Sequence, residues 1–519
     1  MADDWNEADF IATNLNIDPK LALNLSILFE DDNTIPFIAR YRRDKTASMG
    51  PEQIRTAFGL WEEAKTVKKK IETVCKQLES QGNLTADLKQ AVSTCKSAEQ
   101  IEVLYAPFKT RNNKSLAERA RAQGFEPAAL SILQRADPNL KSLVNKDLLE
   151  DDVMKGVQHI LCDLFLRDSE IRKSIDELAN LPTIRIQSKQ APAPKSASSS
   201  NKDNEKLRTK AGDMFKLYYD FSCSACSIKP YQILAINRGE AQKCLVVKVV
   251  VPDSVSTKFA HIVRNLMRNR TLPKWNQLLE KAIADCYSRL VQPMICRSVR
   301  SRLTKSAEFA SAQVFGTNLR QLLLTSPFKD YSILGIDPGF SHGCKAAAIS
   351  SSGALLDAFV FYLPSTKSTK HSAASNNAAG LIGACIRRHS ITKIALGNGT
   401  ACRETETLLS NLIHSNAFGS LKIEYCIVNE NGASIYSTTD LAQKEFPDLD
   451  PNLRSAVSIA RRLQDPLAEY VKIEPKHLGV GQYQHDINQK LLEKTLNSVV
   501  EECVSFVGVD VNTCSSHLL

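Results

Sequence analysis

The stretch Ile333–Ser350, ILGIDPGFSHGCKAAAIS, contains two apolar runs separated by a Pro-Gly turn, and the first run ends on Asp337. Short apolar runs bounded by turn residues predict buried β-strands. A carboxylate at the end of such a strand needs a specific role, because an unpaired charge is costly to bury. Asp337 is therefore the first candidate functional residue, either as a metal ligand or as a structural acid.

Further strands are predicted on both sides of a helical segment that follows this stretch. ALLDAFVFY continues the two apolar runs after a Ser-Gly turn, whereas KIALGN and KIEYCIV are separated by helical patterns near residues 376–389 and 404–413. Short turns predict an antiparallel meander of three strands, and helical crossovers predict parallel strands after it. A meander with an acid on its first strand is the layout of ribonuclease-H-like folds.

The chain before residue 329 is predicted to be mainly helical, because its apolar residues recur at three- and four-residue spacing. Asp18 followed by Pro19 predicts a helix start, and residues 5–45 are predicted to form three short helices. YQILAINRGE and KCLVVKVVV, within residues 216–251, are predicted as short strands. The predicted segments are a helix-turn-helix-like unit (1–50), a helical scaffold (51–186), a disordered insertion rich in Pro, Ala, Ser and Lys (187–205), short strands with basic helices (206–328), a ribonuclease-H-like domain (329–475) and a C-terminal helical region (476–519).

Positive charge is concentrated in one segment of the chain. The net charge is +9, and between Val255 and Lys305 eleven Lys and Arg residues face two acids, Glu280 and Asp285, an excess equal to that of the whole chain. Such asymmetry predicts a surface that contacts phosphates, with a solvated scaffold face as the alternative. The candidate nucleic-acid-binding residues are Arg264 and Arg268 on one helix face, Arg297 and Arg300 on another, and Arg40, Arg42, Arg43, Lys109 and Arg111 elsewhere.

Composition favours an intracellular protein. No apolar run approaches the ~18 residues of a membrane helix, and the first ten residues, MADDWNEADF, are unlike a secretory signal or a transit peptide. The fourteen cysteines are almost all isolated from one another, which is typical of reduced core residues. We expect a nuclear or cytoplasmic location and no membrane partner.

Seven sequence blocks together resemble the Tex family of transcription accessory proteins, in order and over nearly the whole chain. They are TIPFIARYRRDKT, LYAPFKTR, LGIDPGFSHGCKAA, ALGNGTACRETE, NENGASIYS, SIARRLQDPLAEYVKIEPKHLGVGQYQHD and VGVDVNT. The resemblance implies a ribonuclease-H-like domain of the YqgF/RuvC type, followed by helix-hairpin-helix repeats and an RNA-binding OB domain of the S-one type, as in the family's animal member. Leu519 falls where the hairpin repeats are expected to begin, so residues 476–519 are expected to be the truncated start of that region. The expected fold class is multidomain, mainly α with one α/β domain.

The resemblance also implies three candidate catalytic and metal-binding acids, Asp337, Glu430 and Asp465. Two-metal cleavage needs several converging carboxylates. In RuvC-type resolvases the fourth strand ends on a carboxylate, but here that place is occupied by Asn398, between two glycines. We therefore prefer a fold that binds without cutting.

Each of the three acids also has a structural alternative. Asp337 could accept hydrogen bonds from backbone N–H groups after the Pro-Gly turn, Glu430 could pair with Arg403 or Arg461, and Asp465 could cap a helix.

The expected function is that of a nucleic-acid-binding accessory protein in transcription or RNA metabolism. Its expected partners are RNA or DNA, with RNA polymerase or ribosome-associated proteins as further ones. A metal-dependent nuclease and an interaction scaffold remain alternatives. No cofactor is expected, and Mg²⁺ or Mn²⁺ only if the nuclease alternative holds.

Overall fold

Helices dominate both units into which the chain divides, residues 1–308 and 309–519, in the computed structural model. None of the helices in the described part of the chain is long and apolar enough to cross a membrane. The structure describes residues 6–82, 84, 86–96, 98–105, 115–140, 149–192, 214–363, 371–419, 421–509 and 518.

The first unit begins with three short helices packed on a long one, which confirms the prediction for residues 5–45. Their start signals act as expected, since the Asp18 side chain accepts a 2.8 Å hydrogen bond from the N–H of Lys20 and Pro19 occupies the first helical position. Phe29 packs on the Trp61 ring, with 5.6 Å between ring centroids, and joins the short helices to the long one. The four helices are Glu7–Leu15, Pro19–Glu30, Ile35–Tyr41 and Pro51–Ser80. A helix-turn-helix role for them stays a prediction.

The rest of the first unit is helical around one small antiparallel sheet. The strands are β1 (Arg185–Gln190), β2 (Asp220–Ser224) and β3 (Leu245–Val250), with β1 in the centre. The helices are Ala86–Ser93, Ala98–Tyr105, Leu116–Ala122, Glu126–Leu133, Glu150–Arg167, Ser169–Ala179, Pro230–Ala241, Asp253–Met267, Asn276–Cys286 and Gln292–Leu323, and the last of these continues past residue 308.

Two expectations for this region were wrong. The predicted disordered insertion at 187–205 starts too early, because residues 187–190 belong to β1 and pair with both neighbouring strands, while residues 193–205 lie outside the described part of the chain. The segment YQILAINRGE lies in the helix Pro230–Ala241 and not in a strand. Its buried Ile233 and Ile236 are three residues apart, which suits one face of a helix, and Pro230 starts it.

The second unit contains a mixed five-stranded sheet with the order β6-β5-β4-β7-β8. Strands β4 to β6 pair antiparallel, whereas β7 and β8 run parallel to β4. This is the predicted meander followed by parallel strands, so the mainly helical, multidomain fold class with one ribonuclease-H-like α/β domain is confirmed. The strands are β4 (Ile333–Asp337), β5 (Cys344–Ile349), β6 (Leu355–Phe361), β7 (Lys393–Gly397) and β8 (Glu424–Val428).

Helices cover both faces of this sheet. On one face, Leu334 and Ile336 join the core beneath the helices His371–His389 and Cys402–His414. On the other face, the helix Pro451–Gln464 packs directly on β4 at Gly335, where an added Cβ would lie 2.2 Å from the Ala456 carbonyl oxygen. Only glycine permits this approach, which brings the helix backbone against the strand. The remaining helices are Ala433–Ser437, Asp440–Glu445, Pro466–Tyr470 and Gln489–Val507.

Candidate site at the carboxyl edge of the sheet

Two of the three predicted acids lie at one edge of the five-stranded sheet. Asp337 is the last residue of β4, and Glu430 follows β8 by two residues. Because β4, β7 and β8 are parallel, their carboxyl ends meet at the same edge. Burial, and then the nearby charge of Asp337, raise the pKa of Glu430. The structure therefore brings these two carboxylates into one site.

Asp337 is held by a hydroxyl from the covering helix. Ser455 Oγ donates a 2.5 Å hydrogen bond to Asp337 Oδ2, and Ser455 is itself buried. Lys345 is the cross-strand partner of Asp337 on β5, and directly opposed residues of an antiparallel pair point to the same face. Asp337 thus meets a donated hydroxyl and has a lysine on the same side of the sheet. Among the described residues, Ser455 donates the hydrogen bond to this carboxylate, in place of the backbone N–H groups of the structural alternative.

Glu430 lies against a backbone made of two glycines. A Cβ added to Gly399 would lie 1.6 Å from Glu430 Oε1, and one added to Gly397 would lie 2.6 Å from Oε2. The Asn398 side chain between them accepts a 3.1 Å hydrogen bond from the N–H of Glu430. The glycine-asparagine-glycine sequence therefore forms a cradle that only a chain without side chains at 397 and 399 can supply.

The Glu430 carboxyl is electrostatically strained in this cradle. Burial, and then the nearby Asp337, raise its pKa, while a hydrogen bond from the Gly399 N–H and the positive charges of Arg462 and Lys345 oppose the shift. Glu430 Oε2 is buried and has no hydrogen-bond partner among the described residues. Such an oxygen is suited to a proton or a bound cation.

A buried arginine holds the loop that carries Glu430. Arg462 Nη1 donates to the carbonyl oxygens of Asn429, at 2.6 Å, and Asn431, at 2.9 Å, on either side of the glutamate. Arg462 is only 2 % exposed, and burial lowers its pKa. Its guanidinium also stacks on Tyr470, 4.9 Å from the ring centroid. The helix Pro451–Gln464 therefore positions both acids, Asp337 through Ser455 and Glu430 through Arg462.

Asp465 does not belong to this site, which corrects the sequence prediction. It follows the helix Pro451–Gln464 and lies ten residues after Ser455, a rise of about 15 Å along a helix. Its side chain accepts a 3.2 Å hydrogen bond from the Ala468 N–H and caps the next helix. Helix capping was the structural alternative given for Asp465 from the sequence. Lys329 Nζ lies 3.7 Å from its Oδ2. The side chain acts as a helix cap at the other end of the covering helix.

The proposed arginine partners of Glu430 are also corrected. Arg461 donates to Glu445 at 2.5 Å and to the Gly353 carbonyl oxygen, so its charge is engaged elsewhere. Arg403 is exposed in the first turn of the helix Cys402–His414. The cations that act on Glu430 are Arg462 and Lys345.

The carboxylates present fit one cation better than two. In the described part of the chain, no third Asp, Glu, His or Cys joins Asp337 and Glu430 closely enough to share an ion. The unpartnered Glu430 Oε2 and the neighbouring Asp337 are oxygen ligands of the kind that Mg²⁺ or Mn²⁺ takes. A two-metal centre needs more carboxylates than these. In place of a third carboxylate, the Asn398 amide and the Ser455 hydroxyl lie at this edge.

Two of the four predicted arginines in the basic helices of the first unit are engaged in ion pairs. Arg264 makes a two-pronged contact with Glu280, at 2.5 and 2.8 Å, and Arg300 pairs with Glu240. Arg268 and Arg297 are exposed and remain available to an external anion. The excess counted from the sequence already includes Glu280, but Glu240 lies outside the counted segment, so the count overstates the positive charge of this surface.

Two of the basic residues near the N-terminus lie beside aromatic rings, of which Tyr41 is exposed and Phe37 is half-buried. The Arg42 guanidinium lies 4.9 Å from the Phe37 ring centroid and that of Arg40 lies 5.7 Å from Tyr41, which is 58 % exposed. Arg43 is exposed and donates to the Ala39 carbonyl oxygen. Lys109 and Arg111 lie outside the described residues.

Sequence reasoning missed Ser455 and Lys345. The signal for Lys345 was present, because a meander with its turn at Pro338–Gly343 places Lys345 opposite Asp337. Ser455 carried no signal of its own, since serine is common in helices and its orientation depends on the contact at Gly335.

Comparisons with known proteins agree with this architecture. The family model for the Tex protein YqgF-like domain matches residues 331–464, and the model for the Tex-like protein N-terminal domain matches residues 5–79. The chain belongs to the Tex family, and the resemblance noted in the sequence is confirmed.

Three relatives illustrate the extent of the likeness. Human S1 RNA-binding domain-containing protein 1 is 43% identical over 523 residues, covering 99% of this chain and 51% of the relative. The uncharacterized protein YdcI of Bacillus subtilis is 36% identical over 517 residues, covering 98% and 68%. The transcriptional accessory protein Tex of Neisseria gonorrhoeae is 33% identical over 500 residues, covering 95% and 62%. The chain thus spans about half the length of the human relative.

Proposed function

We propose that this protein is an intracellular nucleic-acid-binding accessory factor of transcription or RNA metabolism, whose ribonuclease-H-like domain binds without cutting. The hydrogen bond from Ser455 to Asp337 is the observation that supports binding without cutting. The sequence led us to expect Asp465, at the start of the next helix, as a third carboxylate, but the covering helix brings the Ser455 hydroxyl to the strand acid instead.

The electrostatics of the edge support the same conclusion. Converging carboxylates repel one another, and a nuclease tolerates this because bound cations relieve it. Here Lys345 faces the same side as Asp337, and Asn398 stands where the fourth strand would end on an acid. The positive charge of Lys345 and the neutral amide of Asn398 reduce the need for a metal.

Support for nucleic-acid binding comes from the exposed cations and from the relatives. Arg268 and Arg297 are exposed guanidinium groups in the segment with the greatest basic excess. One relative is named for an RNA-binding domain and another for a transcriptional accessory role. We extend to this chain a preference for RNA or DNA, with RNA polymerase or ribosome-associated proteins as further partners.

Binding is tested by the dependence of affinity on salt. The purified chain is expected to bind RNA or DNA with a steep log–log salt slope and little sequence preference. Arg268→Gln and Arg297→Gln should each lower the slope by roughly 0.7–0.9, which is the share of one phosphate neutralised by one side chain. An unchanged slope in folded variants would remove these helices from the binding surface.

Cleavage is tested on branched, duplex and single-stranded substrates with Mg²⁺ or Mn²⁺. The chain and its Asp337→Asn variant should both leave the substrates intact while binding them equally. Metal-dependent cleavage that disappears in Asp337→Asn would overturn the non-catalytic assignment.

A metal-dependent nuclease is the second candidate, and one observation favours it. Glu430 Oε2 is buried without a hydrogen-bond partner among the described residues, close to Asp337, as a metal ligand would be. If one cation binds there, calorimetry should detect Mg²⁺ or Mn²⁺ binding that Glu430→Gln weakens, together with the cleavage described above.

A further inference from the structure

A second cluster of metal-ligating side chains lies away from the acidic edge, on the sheet face that the helix His371–His389 covers. It consists of Asp357 on β6 and of Cys385 and His389 on the helix His371–His389. Because β6 is two strands from β4, the cluster is separated from β4 by about 10 Å across the sheet. It is therefore independent of Asp337 and Glu430.

The helix supplies two of the three ligands from one face. Cys385 and His389 are four residues apart, so their side chains lie one above the other on the helix. This face packs on β6, and Asp357 meets them from the strand. One ligand atom from each residue lies within 4.8 Å of the other two.

The distances resemble those around a tetrahedral zinc ion. Ligand atoms placed 2.0–2.3 Å from a tetrahedral zinc are roughly 3.3–3.6 Å from each other. His389 Nε2 lies 3.7 Å from Asp357 Oδ2, which is too long for a good hydrogen bond but close to that separation. A small adjustment of side chains would bring the atoms onto one ion.

The histidine nitrogen has no other use within the described part of the chain. His389 Nε2 is buried and has no hydrogen-bond partner there, and the imidazole side chain as a whole is only 18 % exposed. Buried polar nitrogens are normally satisfied, so this atom calls for a ligand. Cys385 is 3 % exposed, so its sulfur is shielded from bulk solvent, and it lies within 4.8 Å of a ring nitrogen of His389.

We propose that Asp357, Cys385 and His389 form a zinc site with a water molecule as its fourth ligand. Thiolate, imidazole and carboxylate together match the ligand preferences of Zn²⁺, whereas Mg²⁺ prefers oxygen ligands alone. On binding, the Cys385 thiol releases its proton to the solvent as the sulfur–metal bond forms. Arg388 Nη1 donates at 3.0 Å to Asp357 Oδ2, the same oxygen that lies 3.7 Å from His389 Nε2. The Arg388 side chain is 66 % exposed, and a carboxylate oxygen has more than one lone pair, so the same carboxylate can accept this bond and bind an ion.

The test uses cobalt and zinc with the full chain. Co²⁺ should bind with one ion per chain and give the strong visible bands of tetrahedral coordination together with thiolate-to-cobalt absorption, and Zn²⁺ should displace it. Zn²⁺ should also raise the melting temperature, because it binds the folded state.

The variants Cys385→Ser, His389→Gln and Asp357→Asn should each weaken binding at least about tenfold and lose the thermal shift. The matched controls are Cys426→Ser and His414→Gln, which change exposed residues of the same unit and should bind as the parent chain does. The three replacements nearly preserve side-chain size, and circular dichroism checks that each variant is folded. A parent chain without the tetrahedral spectrum, or folded ligand variants that bind like the controls, would overturn the site.

Discussion

The Ser455 hydroxyl and the Asp337 carboxylate, 118 residues apart in the chain, form a 2.5 Å hydrogen bond between the helix Pro451–Gln464 and the end of β4. Ser455 thereby joins the two elements that define the acidic edge. The Ser455 hydroxyl also lies 2.7 Å from the carbonyl oxygen of Asn452 on its own helix. It has one hydrogen to donate, and the charged Asp337 carboxylate is the stronger of the two acceptors.

Removing that hydroxyl should therefore destabilise the second unit. Ser455→Ala is expected to lower the free energy of unfolding by about 1.5–3 kcal/mol, because the carboxylate loses a donor. Ser458 is the control one turn later on the same helix, since its buried hydroxyl has no hydrogen-bond partner among the described residues. Ser458→Ala should be neutral or stabilising in the same urea titration. Equal losses in both variants would show that the bond to Asp337 has no special weight.

The raised pKa of Glu430 predicts a stability that depends on pH. A carboxyl whose pKa is higher in the folded state favours folding only while it is protonated, so its contribution is lost as the pH rises from its ordinary value of 4.5 through the raised value. Glu430→Gln should accordingly raise the melting temperature at pH 7. The gain should shrink on acidification and vanish below about pH 4.5.

Glu424, the first residue of β8, provides a control because its pKa is shifted in the opposite direction. Lys393, and then Lys422, lower its pKa, so its charged form is favoured in the folded protein. Glu424→Gln should give no gain at pH 7. A gain as large as that of Glu430→Gln would contradict the assignment of strain to the buried site.

The glycine cradle predicts coupling between positions 399 and 430. Gly399→Ala places a methyl group where Glu430 Oε1 now lies and should destabilise the fold, whereas the same change combined with Glu430→Ala should be much less harmful. Gly380→Ala serves as the control, because nothing lies within 4 Å of its added Cβ and alanine favours a helix by roughly 0.5–1 kcal/mol. Additive effects at 399 and 430 in chemical denaturation would disprove the cradle.

The ion pair between Arg264 and Glu280 predicts that nucleic-acid binding can be strengthened. Glu280→Gln releases the guanidinium, so the salt slope should steepen by up to roughly 0.7–0.9 if Arg264 then binds one phosphate. Glu7→Gln changes the net charge equally by breaking the pair with Lys68 and is the control. Filter-binding or anisotropy titrations at several salt concentrations measure both. The same increase in both variants would assign the effect to net charge alone.

The sheet could be predicted from sequence because its signals are local. Apolar runs, the turn after Asp337 and the helical spacing between KIALGN and KIEYCIV each lie within about twenty residues. The role of Asp465 could not be judged in this way. Which turn of the covering helix meets β4 depends on its contact with Gly335, more than a hundred residues earlier.

The proposed zinc site also combines a local signal with a contact between distant parts of the chain. The spacing of Cys385 and His389 is visible in the sequence, but Asp357 joins them only through the packing of a helix on β6. Likewise, the pairing of Arg264 with Glu280 joins two helices whose relative placement no local pattern encodes. Charge counts along the chain cannot distinguish a paired arginine from an available one.

Asn398 leaves the acidic edge one amino-acid replacement from a different electrostatic state. Its oxygen accepts the N–H of Glu430, and aspartate has the same shape and offers the same acceptor. A change to aspartate would therefore keep the loop geometry while adding a third negative charge beside Asp337 and Glu430. Repulsion among the carboxylates, and not backbone structure, would oppose that step, so a single replacement would change this edge from two acids to three.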